Sequence, residues 1–128
     1  MKRIALAVCL VSVTASAAQA EFSLAFTWGD IPLCTSGRPN TVGNPRFVLA
    51  DVPEGTDSID FHLTDLDAPG YPHGGGRVQT DGARAVPFGT FTYQSPCPPG
   101  GRHTYRWTAT ARQGSNVLGT ATAERLYP

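Results

Sequence analysis

Residues 58–76 read SIDFHLTDLDAPGYPHGGG, and this stretch decides the reading of the chain. Ile59, Phe61 and Leu63 alternate with Asp60, His62 and Thr64, the period of a half-buried β-strand whose apolar face belongs to a core. An acidic loop follows, stiffened by Pro69 and Pro72, that presents Asp65, Asp67 and His73 before three consecutive glycines. Those glycines are expected to leave backbone open beside a site.

On the C-terminal side, Arg77-Val78-Gln79 suits a short strand before an Asp81-Gly82 turn, and Phe88 to Tyr93 is a β-branched and aromatic run that suits another. Residues 95–101, SPCPPGG, have too few backbone donors and too much glycine for a helix or a central strand. They read as a rigid, shaped loop. From His103 to Arg112 the alternation is clean: His103, Tyr105, Trp107, Ala109 and Ala111 share one face against Thr104, Arg106, Thr108 and Thr110 on the other. Val117 to Ala123 reads as a last strand, or Ala121 to Leu126 as a short helix. On the N-terminal side Phe22, Leu24, Phe26 and Trp28 mark a strand, residues 31–45 a Pro/Gly loop anchored by Cys34, and Arg46 to Ala50 a short strand. With no long amphipathic helix, the pattern is that of an all-β, antiparallel β-sandwich.

Lys2 and Arg3 precede an apolar run from Ile4 to Val13 and an Ala18-Gln19-Ala20 tail, the layout of a secretory signal peptide over residues 1–20. A membrane-spanning helix needs about 20 apolar residues, and no stretch supplies them. Cys9 as a lipidation site is opposed by the bulk of Val8. The expected product is a single domain, residues 21–128, exported to a bacterial periplasm or secreted. It keeps eight arginines, no lysine and ten carboxylates, a formal charge of −2. That balance points away from nucleic acid and anionic membrane surfaces as partners. Cys34 and Cys97 remain after processing, and in an oxidising compartment their simple reading is one disulfide. A pair of metal-binding thiolates is the competing reading, without any C-x-x-C spacing to support it.

If the two strong strands are neighbours, Asp65, His73, His103 and Tyr105 converge. Imidazole and hydroxyl donors oriented by a carboxylate suit a small oxyanion, helped by backbone N–H groups of Gly100 and Gly101 in a nest-like turn. Taken singly, these residues have blander readings. Asp65 and Asp67 equally cap a turn; His62 is a solvated strand residue, His73 a loop residue, and Tyr105 and Trp107 core. Three enzyme readings fare worse than a binding site. His73-Gly74-Gly75-Gly76 is like an esterase oxyanion loop, but there is no G-x-S-x-G elbow. A zinc site from His73, His103 and an aspartate has no supporting spacing. Asp65 and Asp67 sit too close in sequence to face across a glycoside.

Several motifs together resemble the phosphatidylethanolamine-binding proteins, and among them the small exported bacterial members called Raf kinase inhibitor-like. They are Cys34, Asn44-Pro45, Val52-Pro53-Glu54-Gly55-Thr56, Asp65-Leu66-Asp67-Ala68-Pro69, His73, Pro96-Cys97-Pro98-Pro99-Gly100-Gly101 and His103-Thr104-Tyr105. The resemblance implies an antiparallel β-sandwich with a small anion pocket that takes phosphate-like groups, including a phospholipid headgroup. Asp65, Pro69, His73, Pro99, His103 and Tyr105 would line it, Gly101 would shape its rim, and Cys34 and Cys97 would pair beside it. No cofactor and no catalytic residue is implied. Leu66 stands where that family has a second proline in D-P-D-A-P, Thr104 where it has an arginine, and Gly74 to Gly76 where it has bulkier strand residues. The chain also reads as lacking most of a C-terminal helical part, and the edge so exposed gives a route to a homodimer. The alternative function is a secreted protein-interaction module, a protease or kinase inhibitor working through its Pro/Gly loops.

Overall fold

The computed structural model describes residues 9–12, 20–80 and 82–128. The expected signal peptide lies almost wholly outside the described residues, as does Asp81 of the expected Asp81-Gly82 turn. Nine strands and no helix are present among those described: β1 (Ser23–Phe26), β2 (Thr41–Gly43), β3 (Phe47–Ala50), β4 (Ser58–Asp65), β5 (Gly75–Gln79), β6 (Ala85–Val86), β7 (Thr92–Gln94), β8 (His103–Gln113) and β9 (Asn116–Tyr127). All pairings are antiparallel. They form a four-stranded sheet in the order β5-β4-β8-β9, a three-stranded sheet β1-β3-β6 and a ribbon β2-β7.

The two strands with the cleanest alternation lie side by side at the centre of the largest sheet. Ser58 pairs with Arg112 and Asp65 with Tyr105, so that the whole of β4 is matched against β8. Their inward residues Ile59, Phe61, Leu63, Tyr105, Trp107 and Ala109 are buried against Leu24, Phe26, Phe47 and Leu49 of the smaller sheet. Phe47 and Phe61 stack with ring centroids 4.4 Å apart, and Trp107 meets Phe47 edge-on at 5.1 Å. Each such aromatic or leucine stabilises the fold by about 1.5–3 kcal/mol through burial. The outward face is polar, with an ionic cluster in which Asp60 accepts from both Arg77 and Arg112 at 2.6 Å.

Several elements differ from the sequence reading. Residues 121–126 are not a short helix but part of the twelve-residue β9, which satisfies the backbone groups on the free side of β8. Within the 31–45 loop, Thr41–Gly43 pairs with Thr92–Gln94. Phe88 to Phe91 turns instead of extending. The Phe91 N–H donates to Asn44 Oδ1 at 2.8 Å, the Gly89 N–H to the Asn44 carbonyl at 3.1 Å, and the Asn44 amide to Pro45 and Pro87 carbonyls. Asn44 is fully buried, and every one of its polar groups is used in holding that turn. Gly75 and Gly76 are strand, not open loop. A Cβ on Gly75 would overlap the Phe61 carbonyl oxygen, and one on Gly76 would stand 2.5 Å from Phe91 Cγ, so the glycines are there for close packing.

Candidate functional site

Because β4 and β8 run antiparallel, the end of one and the start of the other reach the same edge of the sheet. Asp65 closes β4 and His103 opens β8. The Asp65 carboxylate divides its oxygens between two tasks. Oδ1 accepts from the N–H groups of Asp67 at 2.9 Å and Ala68 at 3.2 Å, while Oδ2 meets His103 Nδ1 at 2.6 Å. The turn-capping reading and the imidazole-orienting reading of Asp65 thus hold together. Burial opposes its charge, but the His103 hydrogen bond and the backbone donors outweigh that and leave the carboxyl below its usual range. Asp67 Oδ2 accepts from the Thr104 N–H at 2.8 Å, which straps the loop to β8.

His73 is buried, and its Nδ1 lies 2.8 Å from the Gln94 carbonyl. A carbonyl only accepts, so Nδ1 carries the hydrogen. Burial lowers the affinity of the ring for a second proton, and in the neutral ring Nε2 is an acceptor. Tyr105 is fully buried, its ring edge-on to His73 at 5.5 Å between centroids. Burial and the nearby Asp65 carboxylate push its phenol upward, so the hydroxyl keeps its proton. That hydroxyl lies beside the Asp65 carboxylate and the Cys97 backbone, without a well-formed hydrogen bond to either. Tyr93 Oη and Trp107 Nε1 are likewise buried without a partner, and of the three residues Tyr105 is the one in the wall of the cavity beside His73.

That cavity has a volume of about 250 Å³ and is lined by Gly37, Pro39, Asp65, Ala68, Tyr71, His73, Cys97, Pro99 and Tyr105. A disulfide joins Cys34 to Cys97 with Cα atoms 5.4 Å apart, fastening the 31–40 loop to the wall. Of the residues singled out in the sequence, Asp65, His73, Pro99 and Tyr105 line the cavity. His103 stands behind Asp65. Pro69 and Gly101 are exposed and do not line it, and Gly101 has a positive φ of 90° like its neighbour Gly100 at 71°. Gly37, Pro39, Ala68 and Tyr71 were not read as site residues. Tyr71, whose ring lies 4.7 Å from that of His73, carried the clearest signal, a lone aromatic in a Pro/Gly loop.

Asp65, Asp67 and His103 also bring donor atoms within 4.8 Å of one another, the spacing of a metal site. Both Asp65 oxygens and Asp67 Oδ2, however, already accept hydrogen bonds that close the turn against β8. Two larger grooves, of about 810 and 690 Å³, flank the Val52-Pro53-Glu54 turn. Among the described residues lining them, no buried side chain lacks a polar partner.

Neither a family model nor a curated protein matches the sequence. Solved structures do match. One is a chain from Chlamydia trachomatis described as a phosphatidylethanolamine-binding protein homologue; it has a TM-score of 0.57 and 18% identity, over 67% of this chain and 81% of that one. Another is Escherichia coli YbcL, described as a new member of the mammalian phosphatidylethanolamine-binding protein family; it has a TM-score of 0.61 and 20% identity, over 84% of this chain and 98% of that one. At these identities the likeness establishes the fold: the chain has the all-β fold of phosphatidylethanolamine-binding proteins.

Proposed function

We propose that this chain, starting from the fold of phosphatidylethanolamine-binding proteins, is a non-catalytic binder of a small anionic group, a phosphate or a phospholipid headgroup, held in the cavity between Asp65, His73 and Tyr105. The observation that supports the reading is one cavity lined by Asp65, by His73 with its Nδ1 committed to Gln94, and by Tyr105, whose protonated hydroxyl is buried in the wall without a well-formed hydrogen bond. A ligand oxygen that reached that hydroxyl would supply the missing bond, a gain of about 1–3 kcal/mol.

The cavity lining holds no arginine or lysine, so charge alone does not draw in an anion. His73 supplies the other half of the recognition. With Nδ1 donating to Gln94, its Nε2 accepts a hydrogen from a protonated phosphate oxygen, or, if the ring takes that proton, donates to an ionised one. Either way one proton enters with the ligand. Asp65 does not touch the anion through an unshared charge; its oxygens are occupied by His103 and by two backbone N–H groups. Pro39, Ala68, Pro99 and the Tyr71 ring exclude water and leave room for a headgroup-sized ligand. The cavity lining offers no serine or threonine nucleophile, and its Cys97 is oxidised to a disulfide, which favours binding over catalysis. The disulfide also supports a working place outside the reducing cytoplasm.

Calorimetric titration with inorganic phosphate and with phosphoethanolamine tests this. The expected result is saturable one-to-one binding that weakens about tenfold in Tyr105→Phe. Equal binding by Tyr105→Phe would remove the reading.

A further inference from the structure

The wall of the cavity carries the Asp65 carboxylate, which repels a negative ligand, and neither an arginine nor a lysine. An anion there gains most from a cation that reaches in from the rim. Residues 21–128 hold eight arginines and no lysine. Five of them are engaged: Arg77 and Arg112 share Asp60, Arg106 pairs with Glu124, and Arg102 and Arg125 donate to the Pro128 and Phe26 carbonyls. The side chains of Arg38, Arg46 and Arg84 have no hydrogen-bond or ion-pair partner among the described residues. Arg84 lines the groove beside the Val52-Pro53-Glu54 turn, and Arg46 faces out from the small sheet between the buried Pro45 and Phe47. Of the three, Arg38 is the one beside the cavity: Gly37 and Pro39, its neighbours on either side in the chain, both line the wall.

Arg38 is carried on an exposed strap, residues 29–39. At one end the Trp28 indole N–H donates to the Leu126 carbonyl at 2.9 Å. At the other the Asn40 N–H donates to Ser95 Oγ at 2.9 Å, and the Asn40 carbonyl accepts from the Ser95 N–H at 2.9 Å. Between these anchors no hydrogen bond joins the strap to the rest of the described residues. Its covalent tie is the Cys34–Cys97 disulfide, and Cys97 itself lines the cavity. The Arg38 carbonyl is turned back onto that tie, with the Ser36 hydroxyl donating to it at 3.4 Å and Cys34 Sγ 3.2 Å away. The backbone is thus held while the side chain is exposed. Around the place where a Gly37 Cβ would stand, no atom beyond its chain neighbours lies within 4 Å.

On the reading that the cavity binds an anion, we propose that Arg38 is the cation of the site. Its guanidinium folds over the mouth onto the bound group and donates to two of its oxygens, in the fork geometry that suits phosphate. The interior supplies Tyr105 and His73, and the strap supplies the charge that offsets Asp65. The disulfide keeps that charge within reach of the cavity, and the open space at Gly37 leaves room for the side chain to turn. Because the contact lies at the exposed mouth, affinity for phosphate weakens as salt is added. Because Arg38 has no side-chain partner within the chain, it contributes to the ligand and not to the fold.

Calorimetric titration of the oxidised protein with inorganic phosphate, at about 0.01 M and about 0.15 M ionic strength, is the test. Thermal unfolding followed by circular dichroism checks each variant. Arg38→Gln should keep the wild-type Tm, bind phosphate at least about tenfold more weakly at the lower ionic strength, and lose the salt dependence. Arg38→Lys, which keeps the charge but not the fork, should fall between the two. Arg84→Gln makes the same change in net charge away from the cavity and should bind as the wild type does. Equal phosphate binding by wild type and Arg38→Gln removes Arg38 from the site and leaves the cavity reading standing. So does a loss of the same size in Arg84→Gln, which traces the effect to net charge. A wild-type protein that does not bind phosphate overturns both.

Discussion

Asp65 Oδ2 and His103 Nδ1 lie 2.6 Å apart, a side-chain bond that joins the end of β4 to the beginning of β8 beside the backbone ladder. The carboxylate is almost wholly buried, so removing its charge leaves the imidazole and two backbone N–H groups without their shared acceptor. Asp65→Ala should therefore lower unfolding free energy by about 2–4 kcal/mol. Urea titration measures this, and a loss under about 0.5 kcal/mol, the scale of an ordinary surface substitution, would show the pair to be idle.

Stability should fall with acid in two stages. Burial holds His73 below its usual 6.5. The unfolded state therefore takes up its proton first, and the stabilisation present above about pH 6.5 declines as pH drops toward the folded value. Asp65 is held below its usual 3.8 despite burial, by His103 and the backbone donors. Its contribution, present above about pH 4, is lost as pH falls through the folded value. Denaturation midpoints against pH should show both, and His73→Gln should flatten only the upper stage.

The glycine pair in β5 gives a prediction that separates a packed strand from an open loop. Gly76→Ala places a methyl against the Phe91 ring and should cost about 1–3 kcal/mol. Thermal unfolding of that variant is the check; an open loop would tolerate the methyl with no shift in Tm.

Tyr105→Phe should uncouple stability from binding. The substitution keeps the ring that packs against Trp28 and His73 and deletes only the unpartnered hydroxyl. The protein should be as stable as the wild type or up to about 1 kcal/mol more so, while losing affinity for phosphate. A variant that loses both would mean that the hydroxyl serves the fold.

Reducing the Cys34–Cys97 disulfide frees a loop of 63 residues that also walls the cavity. A loss of about 2–5 kcal/mol is expected. Reductant added during urea unfolding measures it.

Strands β4 and β8 were legible because a period of two over eight or more residues needs no knowledge of neighbours. Their antiparallel pairing then made the meeting of Asp65, His103 and Tyr105 a matter of register. Short strands such as β2 and β6 were not legible in the same way, since two or three residues carry no period and exist only through distant partners, while β7 was read in part, in Thr92 and Tyr93, but begun four residues too early. The Ala- and Thr-rich residues of β9 fit helix and strand alike, and the open side of β8 decided between them. In the site, the chemistry of His73 was visible but its direction was not. Which ring nitrogen donates is set by the Gln94 carbonyl, a backbone group with no signature in the sequence. The wall from Gly37 to Pro39 was hidden for a related reason: a disulfide across 63 residues brings it in.

The central claim is that a small anion enters the cavity beside His73 and Tyr105 and carries a proton with it. NMR titration of the imidazole resonances of His62, His73 and His103 with phosphoethanolamine, in the oxidised protein at two pH values either side of 6.5, tests it most directly. His62 is exposed on the outer face of β4 and serves as the internal control. The account predicts saturable shifts at His73 and His103, none at His62, and tighter binding at the lower pH. Equal drift at all three histidines, or affinity that does not change with pH, would contradict it.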